Sequence, residues 1–302
     1  MLISKYPTVI ATVGGEGTRL YPLTLRQPKP LVSILNYPIL SRELEILASQ
    51  GCRGFIIASK GAANTTILKD VLRFGRSLSK KLELKPPAKF MYQPNYNDNG
   101  SADAVRYCMD YYNIDNDVLV VSGDNISDIY VKDVVKFHKK KGSLVTVVLK
   151  ELGADEDISK FGVVDIDEDG RLKRFVEKPQ PEEAPSRMIS TAIYLFSPEI
   201  RETFKEMGDR VKDIGRDVLP FLTENDYPLY GYLMEGYWAD VGSPASFLNT
   251  AQDILRQKVK NIKFRDKMKY KENRWIHPTT VERIKDKLEK GEIEIGEYVF
   301  IG

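Results

Sequence analysis

"TVIATVGGEGTRLYPLTLRQPKPL", residues Thr8 to Leu31, is the stretch on which the fold turns. Its first six residues make a short, β-branched, apolar run that glycine ends, the pattern of a strand buried in a sheet. Gly14, Gly15 and Gly17 follow at once, then Arg19, then Lys29 braced between Pro28 and Pro30. Backbone freedom beside fixed positive charge, at the end of a buried strand, suits a ligand held beyond the carboxyl ends of a parallel sheet.

The alternation continues downstream. Pro38 opens "ILSRELEILASQ", whose apolar residues recur at helical spacing until Gly51 closes the run. "RGFIIAS" is the next buried strand. "KFMYQ", "SADAVRYCMDYY", "DVLVVSGD", "VKDVVKFHKKKG" and "LVTVVL" then alternate strand with helix. This order predicts crossover units, and so an α/β fold with a mainly parallel sheet and helices on both faces. From Phe161 the pattern changes. "FGVVDID" and "LKRFVEK", joined by Glu168-Asp169-Gly170, read as a hairpin, and "MISTAIYLF" and "PLYGYLM" add strands with "DIGRDVLPFLTEN" as a helix between them. The expectation is a smaller, antiparallel lobe over 161–235 that covers the open end of the main sheet.

The remaining segment has another character. "QKVKNIKFRDKMKYKENR" is rich in lysine, and its sparse aromatics and arginines favour a solvated connector over a nucleic-acid arm. "VERIKDKLEKG" reads as a polar helix. In "EIEIGEYVFIG", Ile295-Gly296 and Ile301-Gly302 stand six residues apart, the spacing of a left-handed β-helix repeat. One coil cannot bury its own apolar face, so it either continues or packs on the body or on another subunit. The division is therefore 1–258 for the main domain and 259–302 for a connector helix with a single β-helix-like coil.

Bulk properties narrow the class. A chain of 302 residues holds one large α/β domain with a small appendage. Its 42% hydrophobic and 29% charged content is that of an ordinary soluble globular protein. The net charge of +2 gives no general attraction to nucleic acid or to an anionic membrane. Cys52 and Cys108 alone imply no disulfide framework and fit a reducing cytoplasm. His138 and His277 cannot combine with them at a recognised metal-site spacing. No apolar run approaches membrane-spanning length, and the N-terminus lacks a signal-peptide layout.

The chemistry concentrates in a few residues. Gly14, Gly15 and Gly17 can turn backbone N–H groups toward an anion and let it approach closely. The loop matches neither the dinucleotide pattern, since Leu20 stands where a third glycine would, nor a Walker loop. A glycine-rich turn alone is more often structural, but Arg19 adds a planar donor fork suited to phosphate oxygens, and Lys29 adds a second cation on a stiffened loop. Asp124 in "VVSGDNI" and Asp240 in "GYWADVGSP" each follow an apolar run and precede or follow a glycine. Alone, each reads as a turn-capping Asp; together with a phosphate loop they read as a Mg²⁺ pair. Glu177 and Lys178 in "RFVEKPQ" alone would be an exposed ion pair. In a phosphate site, Lys178 could hold a second phosphate while Glu177 accepts hydrogen bonds from sugar hydroxyls.

Read in order, "GGEGTRLYPLT", "PKPL", "GSADAVR", "SGDNI", "FGVV", "VEKP" and "GYWADVGSP" resemble the sugar-1-phosphate nucleotidyltransferases, from about Val9 to Leu255. Within them the chain resembles the glucose-1-phosphate thymidylyltransferase and uridylyltransferase type. The resemblance implies a Rossmann-like three-layer α/β/α mixed sheet, a sugar-binding lobe, and the start of a left-handed β-helix at the C-terminus. It implies Gly14, Gly15, Gly17 and Thr18 around the nucleotide phosphates, Arg19 on the triphosphate and Lys29 at the reacting α-phosphate. It further implies Mg²⁺ on Asp124 and Asp240, the sugar phosphate on Gly162, Glu177 and Lys178, and the base read at Gln93 and Gly100. The partners implied are a nucleoside triphosphate and a hexose 1-phosphate, glucose 1-phosphate first, in a homo-oligomer without nucleic acid or membrane.

Three positions depart from the family pattern. Val13 replaces a small residue before the glycine pair, Ala192-Ile193-Tyr194 stands for a Gly-Ile-Tyr, and Asp103 is the residue of the ADP-glucose adenylyltransferases. The Gln93 amide can pair with uracil or thymine, which puts dTTP or UTP first, with ATP or GTP (with mannose 1-phosphate) as alternatives. Two other readings remain: a non-catalytic paralogue that binds nucleotide sugars, and a nucleic-acid module on the lysine-rich segment. Retention of Arg19, Lys29, Asp124, Lys178 and Asp240 counts against the first, and balanced net charge against the second.

Overall fold

Nine strands form one mixed sheet, in the order Leu172–Glu177, Gly162–Ile166, Met188–Phe196, Val118–Ser122, Thr8–Thr12, Gly54–Ala58, Lys89–Tyr92. Val145–Glu151 also pairs with Met188–Phe196, and Leu229–Leu233 pairs with Val145–Glu151. The computed structural model describes residues 6–15, 17–94, 98–262 and 269–302. The four strands at the Val118–Ser122 to Lys89–Tyr92 end run parallel, with Thr12 beside both Ser122 and Ala58. These are the continuous apolar runs of the sequence, and burial on both faces explains why they do not alternate. Val9, Ile10, Ala11, Phe55, Ile56 and Ile57 are fully buried.

The hairpin forms as expected, with Glu177 opposite Gly162. It does not belong to a separate lobe sheet. Met188–Phe196 pairs antiparallel with Val118–Ser122 and with the hairpin, so the later strands continue the main sheet. Leu229–Leu233 runs parallel to Val145–Glu151, not antiparallel. Helix Ser101–Tyr111 packs on Thr8–Thr12 and Gly54–Ala58, while Val131–Lys141 packs on Val145–Glu151 and Leu229–Leu233. The helical segment from Ile214 begins with a π turn before Leu219–Glu224. No helix among the described residues is long and apolar enough to cross a membrane.

The chain divides into two compact units. The first comprises 1–16, 47–123 and 129–235 and contains the nine-stranded sheet. The second comprises 17–46, 124–128 and 236–302. Its core gathers Leu20, Val32, Ile34, Ile39, Ile126, Val241, Ile254 and Val259. Helix Pro244–Leu255 is opened by a Ser243 capping box with Pro244 at its first position, two start signals that reinforce each other.

The lysine-rich segment is less solvated than expected where it is described. The Asp128 carboxylate accepts from the backbone N–H groups of Lys260 and Asn261 at 2.7 and 2.9 Å. Val259, Trp275 and Ile276 are buried, and residues 263–268 lie outside the described residues. The polar helix spans Pro278–Glu289. Val299–Ile301 then pairs in parallel with Arg274–Ile276, so "YVFIG" forms a strand inside this unit.

Candidate active site

Lys29 is the centre of the second unit's polar cluster. It sits in the short turn Lys29–Leu31, whose Pro30 and Leu31 are buried, and its own side chain is only 7% exposed. Its ammonium donates to Asp124 Oδ2, and lies 3.3 Å from Asp240 Oδ1. A two-stranded ladder brings the carboxylates together: Asp240 opposes Asn125, and Val241 N donates to Asp124 O at 3.1 Å. Burial pushes the Asp240 carboxyl above its ordinary range, the nearby Lys29 charge opposes that, and Asp124 adds to it. The ammonium thus holds two mutually repelling carboxylates in place.

Two converging carboxylates fit Mg²⁺, a hard cation that takes one or two protein carboxylates and completes its shell with water and substrate phosphate. No group of three or more His, Cys, Asp or Glu placed to hold a metal exists among the described residues. Arg19 is exposed, and its charge reaches Asp240. Gly17 has φ +68°, and a Cβ there would meet Thr24 Cγ2 at 2.9 Å and Lys29 Cβ at 3.0 Å. The glycine is therefore needed to let the loop close over the lysine, as well as for any phosphate. Thr18 is exposed in the same turn, and Gly14 and Gly15 are exposed beyond the Thr8–Thr12 strand.

Sequence reasoning missed Glu43. It lies on helix Ile39–Ser49, is fully buried, and accepts from Ser127 N at 3.2 Å and from Ser127 Oγ at 2.8 Å. Burial pushes its carboxyl up to about 7, with Asp128 contributing and the Ser127 hydrogen bonds opposing. It anchors the Asn125–Ser127 strand that follows Asp124. A glutamate inside an amphipathic helix reads as its solvated face, so nothing local marks it.

In the first unit, Glu177 ends its strand beside Gly162. A Cβ on Gly162 would lie 3.0 Å from Glu177 Oε2 and 2.3 Å from Phe175 Cζ; one on Gly215 would lie 2.8 Å from Glu177 Oε2. The two glycines cradle the carboxylate. Gly215 was also missed, although a glycine inside "DIGRDVLPF" costs the helix on the order of 1 kcal/mol and so calls for a reason. Lys178 Nζ is 3.3 Å from Glu177 Oε1, with Lys178 64% exposed and able to swing away. Lys178 and Ala192 hold positive φ of 50° and 58°, the local strain that collects at functional positions. Tyr194 is buried, its hydroxyl 3.2 Å from Ser190 Oγ, and burial pushes its phenol up with help from Glu177 and Asp213.

Gln93 follows the Lys89–Tyr92 strand and is 1% exposed. Its Nε2 donates to Asp98 Oδ2 at 2.9 Å, while its Oε1 is buried with no partner among the described residues. A buried acceptor left without a donor costs about 1–3 kcal/mol. Asp98 Oδ1 accepts from Gly100 N at 3.2 Å, so that amide is already committed. Gly100 has φ +146°, and a Cβ would lie 2.6 Å from Lys212 O, which makes it a tight chain crossing. Asp103 is also buried. It accepts from Asn99 N at 3.0 Å and pairs with Arg106, roles internal to the helix start.

His138 does not carry the helix-end charge its place before three lysines suggests. It is 2% exposed, bonded to Thr146 Oγ1 and Ser197 Oγ at 2.8 and 2.9 Å, and burial lowers its pKa to about 4. Cys52 and Cys108 are buried, and burial pushes both thiols up to about 12.

The sequence model of the family described as nucleotidyl transferase matches residues 8–257. The chain belongs to that family. It is 29% identical over 258 residues to the UTP–glucose-1-phosphate uridylyltransferase of Synechocystis sp., covering 82% of this chain and 63% of that protein. It is 34% identical over 240 residues to the mannose-1-phosphate guanylyltransferase catalytic subunit beta of Drosophila pseudoobscura pseudoobscura, covering 78% of this chain and 59% of that protein. The chain thus spans less than two thirds of the length of these curated relatives. A crystal structure from Bacillus anthracis, named as a candidate glucose-1-phosphate thymidylyltransferase in complex with a sucrose, shares the fold. Its TM-score is 0.69 at 24% identity, over 86% of this chain and 97% of that one.

Proposed function

We propose that the protein transfers a nucleotidyl group from a nucleoside triphosphate to a hexose 1-phosphate, giving a nucleoside-diphosphate sugar and pyrophosphate. The observation that carries this reading is Lys29 clamped between Asp124 and Asp240 in a chain of the nucleotidyl transferase family. The relatives named for glucose and for mannose support the hexose class.

The sugar-phosphate oxygen is an anion already and needs no general base. It attacks the α-phosphorus in line; the new P–O bond forms as the bond to the β-phosphate oxygen breaks, and pyrophosphate leaves with the electron pair. The barrier is repulsion between polyanions, so catalysis is positioning and electrostatic stabilisation. Lys29, largely removed from water, acts on the α-phosphate with an attraction that solvent screens little. Arg19 takes the triphosphate, Gly14, Gly15, Gly17 and Thr18 line its path, and Lys178 with Glu177 and Gly162 seats the sugar phosphate. Magnesium on Asp124 and Asp240 would supply further charge neutralisation.

We also read 1–258 as the catalytic domain, and Val299–Ile301 with the six-residue period before it as the onset of a left-handed β-helix. The parallel pairing with Arg274–Ile276 supports that onset.

The test is pyrophosphate release with Mg²⁺, each of five nucleoside triphosphates against glucose, mannose and N-acetylglucosamine 1-phosphates. Release with any pair supports the reading. Silence across all pairs, with a folded protein, overturns it in favour of a nucleotide-sugar-binding paralogue.

A further inference from the structure

A two-stranded ladder is marginal by itself, and the one beside Asp124 and Asp240 is short, pairing Asn125–Ser127 with Trp238–Asp240. The acidic pair stands at one end of it. The other end is fastened from outside by further carboxylates. Glu43 receives Ser127 N and Ser127 Oγ. Asp128, the next residue, is 1% exposed, and both its oxygens are engaged: Oδ2 accepts from Lys260 N at 2.7 Å and Oδ1 from Asn261 N at 2.9 Å. Asp128 N donates to Tyr237 O at 2.7 Å, and the Tyr237 hydroxyl lies 3.0 Å from Asp253 Oδ2. All of these residues belong to the second unit.

Hydrogen bonds to a charged acceptor are about twice as strong as neutral ones, so two backbone amides on one buried carboxylate make a firm, directional tie. Its place gives it leverage. Asp128 lies four residues from Asp124, about 13 Å along an extended strand. A ladder this short moves as one body, so a shift at the Asp128 end is carried to the acidic end. Mg²⁺ tolerates little of that, because it demands near-octahedral geometry with ligands at about 2.0–2.1 Å.

We infer that Asp128 is a positioning residue for the Asp124–Asp240 pair, and that it acts by tying the strand beside Asp124 to the backbone of Lys260 and Asn261. The segment just past the 1–258 domain is thereby part of the support of the metal site. This role rests on the reading of Asp124 and Asp240 as magnesium ligands. Coupling of this kind is reciprocal: a tie that favours metal binding must itself be tightened by metal.

Two measurements on the full-length chain decide it. Asp128→Asn keeps the size of the side chain but sets an amide N–H against a backbone N–H. It is expected to weaken the binding of Mn²⁺, an oxygen-seeking octahedral stand-in for Mg²⁺, by about tenfold, read from the electron paramagnetic resonance of the free ion. Pyrophosphate release by the variant should recover at high Mg²⁺, with the KM for sugar phosphate within about twofold of the parent's. A role in folding alone would lower activity alike at every Mg²⁺ concentration. In the parent, Mg²⁺ is expected to slow hydrogen exchange in peptides that cover Lys260 and Asn261; this needs no variant and stands if Asp128→Asn fails to fold. Unchanged Mn²⁺ affinity in a folded variant, or exchange at Lys260 and Asn261 indifferent to Mg²⁺, overturns the positioning role and leaves nucleotidyl transfer intact. A parent that binds no Mn²⁺ overturns the metal assignment and the positioning role with it. The expected metal effects without pyrophosphate release from the parent overturn the reaction and support the positioning role.

Discussion

Lys29 and Asp240 stand 211 positions apart in the chain and meet with Nζ 3.3 Å from Oδ1. The contact closes a triangle with Asp124, and each corner restrains the other two. Removing the lysine leaves two carboxylates facing one another with their neutralising charge gone.

Lys29→Met is expected to lower kcat by on the order of 10²–10³, the usual effect of losing one preorganised donor. The variant should also melt lower in EDTA than the parent, and added Mg²⁺ should raise its midpoint more than it raises the parent's. Scanning calorimetry with and without metal reads this. Equal Mg²⁺ shifts in both proteins would remove Asp124 and Asp240 from the metal site.

Glu43 gives a stability that depends on pH in a stated direction. The folded protein keeps its proton up to about pH 7, whereas the unfolded chain releases it near 4.5. Its contribution is therefore complete below 4.5, declines as pH rises through that window and is lost above about 7. Glu43→Gln keeps a neutral group able to donate to Ser127 Oγ and accept from Ser127 N. In urea it should gain about 1–3 kcal/mol over the parent at pH 8 and little at pH 5; equal gains at both values would mean that Glu43 is charged in the fold.

His138 runs the opposite way. Its folded pKa of about 4 lies below the ordinary 6.5, so its contribution is complete above 6.5 and is lost as pH falls through 4. With only two histidines in the chain, its NMR ring signals are readily assigned, and they should stay constant between pH 8 and 5.5. A midpoint near 6.5 would place the ring in solvent.

Gly215→Ala puts a methyl group 2.8 Å from Glu177 Oε2. The KM for sugar phosphate should rise by about tenfold while the KM for nucleotide moves less than twofold. Equal changes in both would show that the glycine serves folding alone.

The parallel part of the sheet was legible because each of its strands is an unbroken apolar run between turn signals, as Thr8–Thr12 and Val118–Ser122 illustrate. In the antiparallel part the hairpin and the Met188–Phe196 direction were legible, but membership of the main sheet and the parallel run of Leu229–Leu233 were not, for a physical reason. Period and turn chemistry are local, whereas the partner of Met188–Phe196 is chosen by a sheet formed from residues far away. Ala62–Leu72, Ile200–Met207 and Pro244–Leu255 were passed over, although Ser243-Pro244 carried a start signal. In the site, charged residues next to glycines were visible. Glu43 and Asp98 were not, since a buried carboxylate with backbone or amide partners looks on paper like any surface acid. His138 shows the converse: its lysine neighbours were legible, but the two hydroxyls that keep it neutral come from Thr146 and Ser197.

The second unit is stitched from three separate lengths of chain, 17–46, 124–128 and 236–302. During synthesis on a ribosome, Lys29 emerges early, Asp124 follows about midway, and Asp240 arrives only after the whole nine-stranded sheet has been made. A nascent or prematurely terminated product that stops short of Asp240 carries the lysine and one carboxylate without their counterpart. Chain order thus makes the acidic pair a late product: a chain that stops after Leu233 contains every strand of the nine-stranded sheet but lacks one of the two carboxylates.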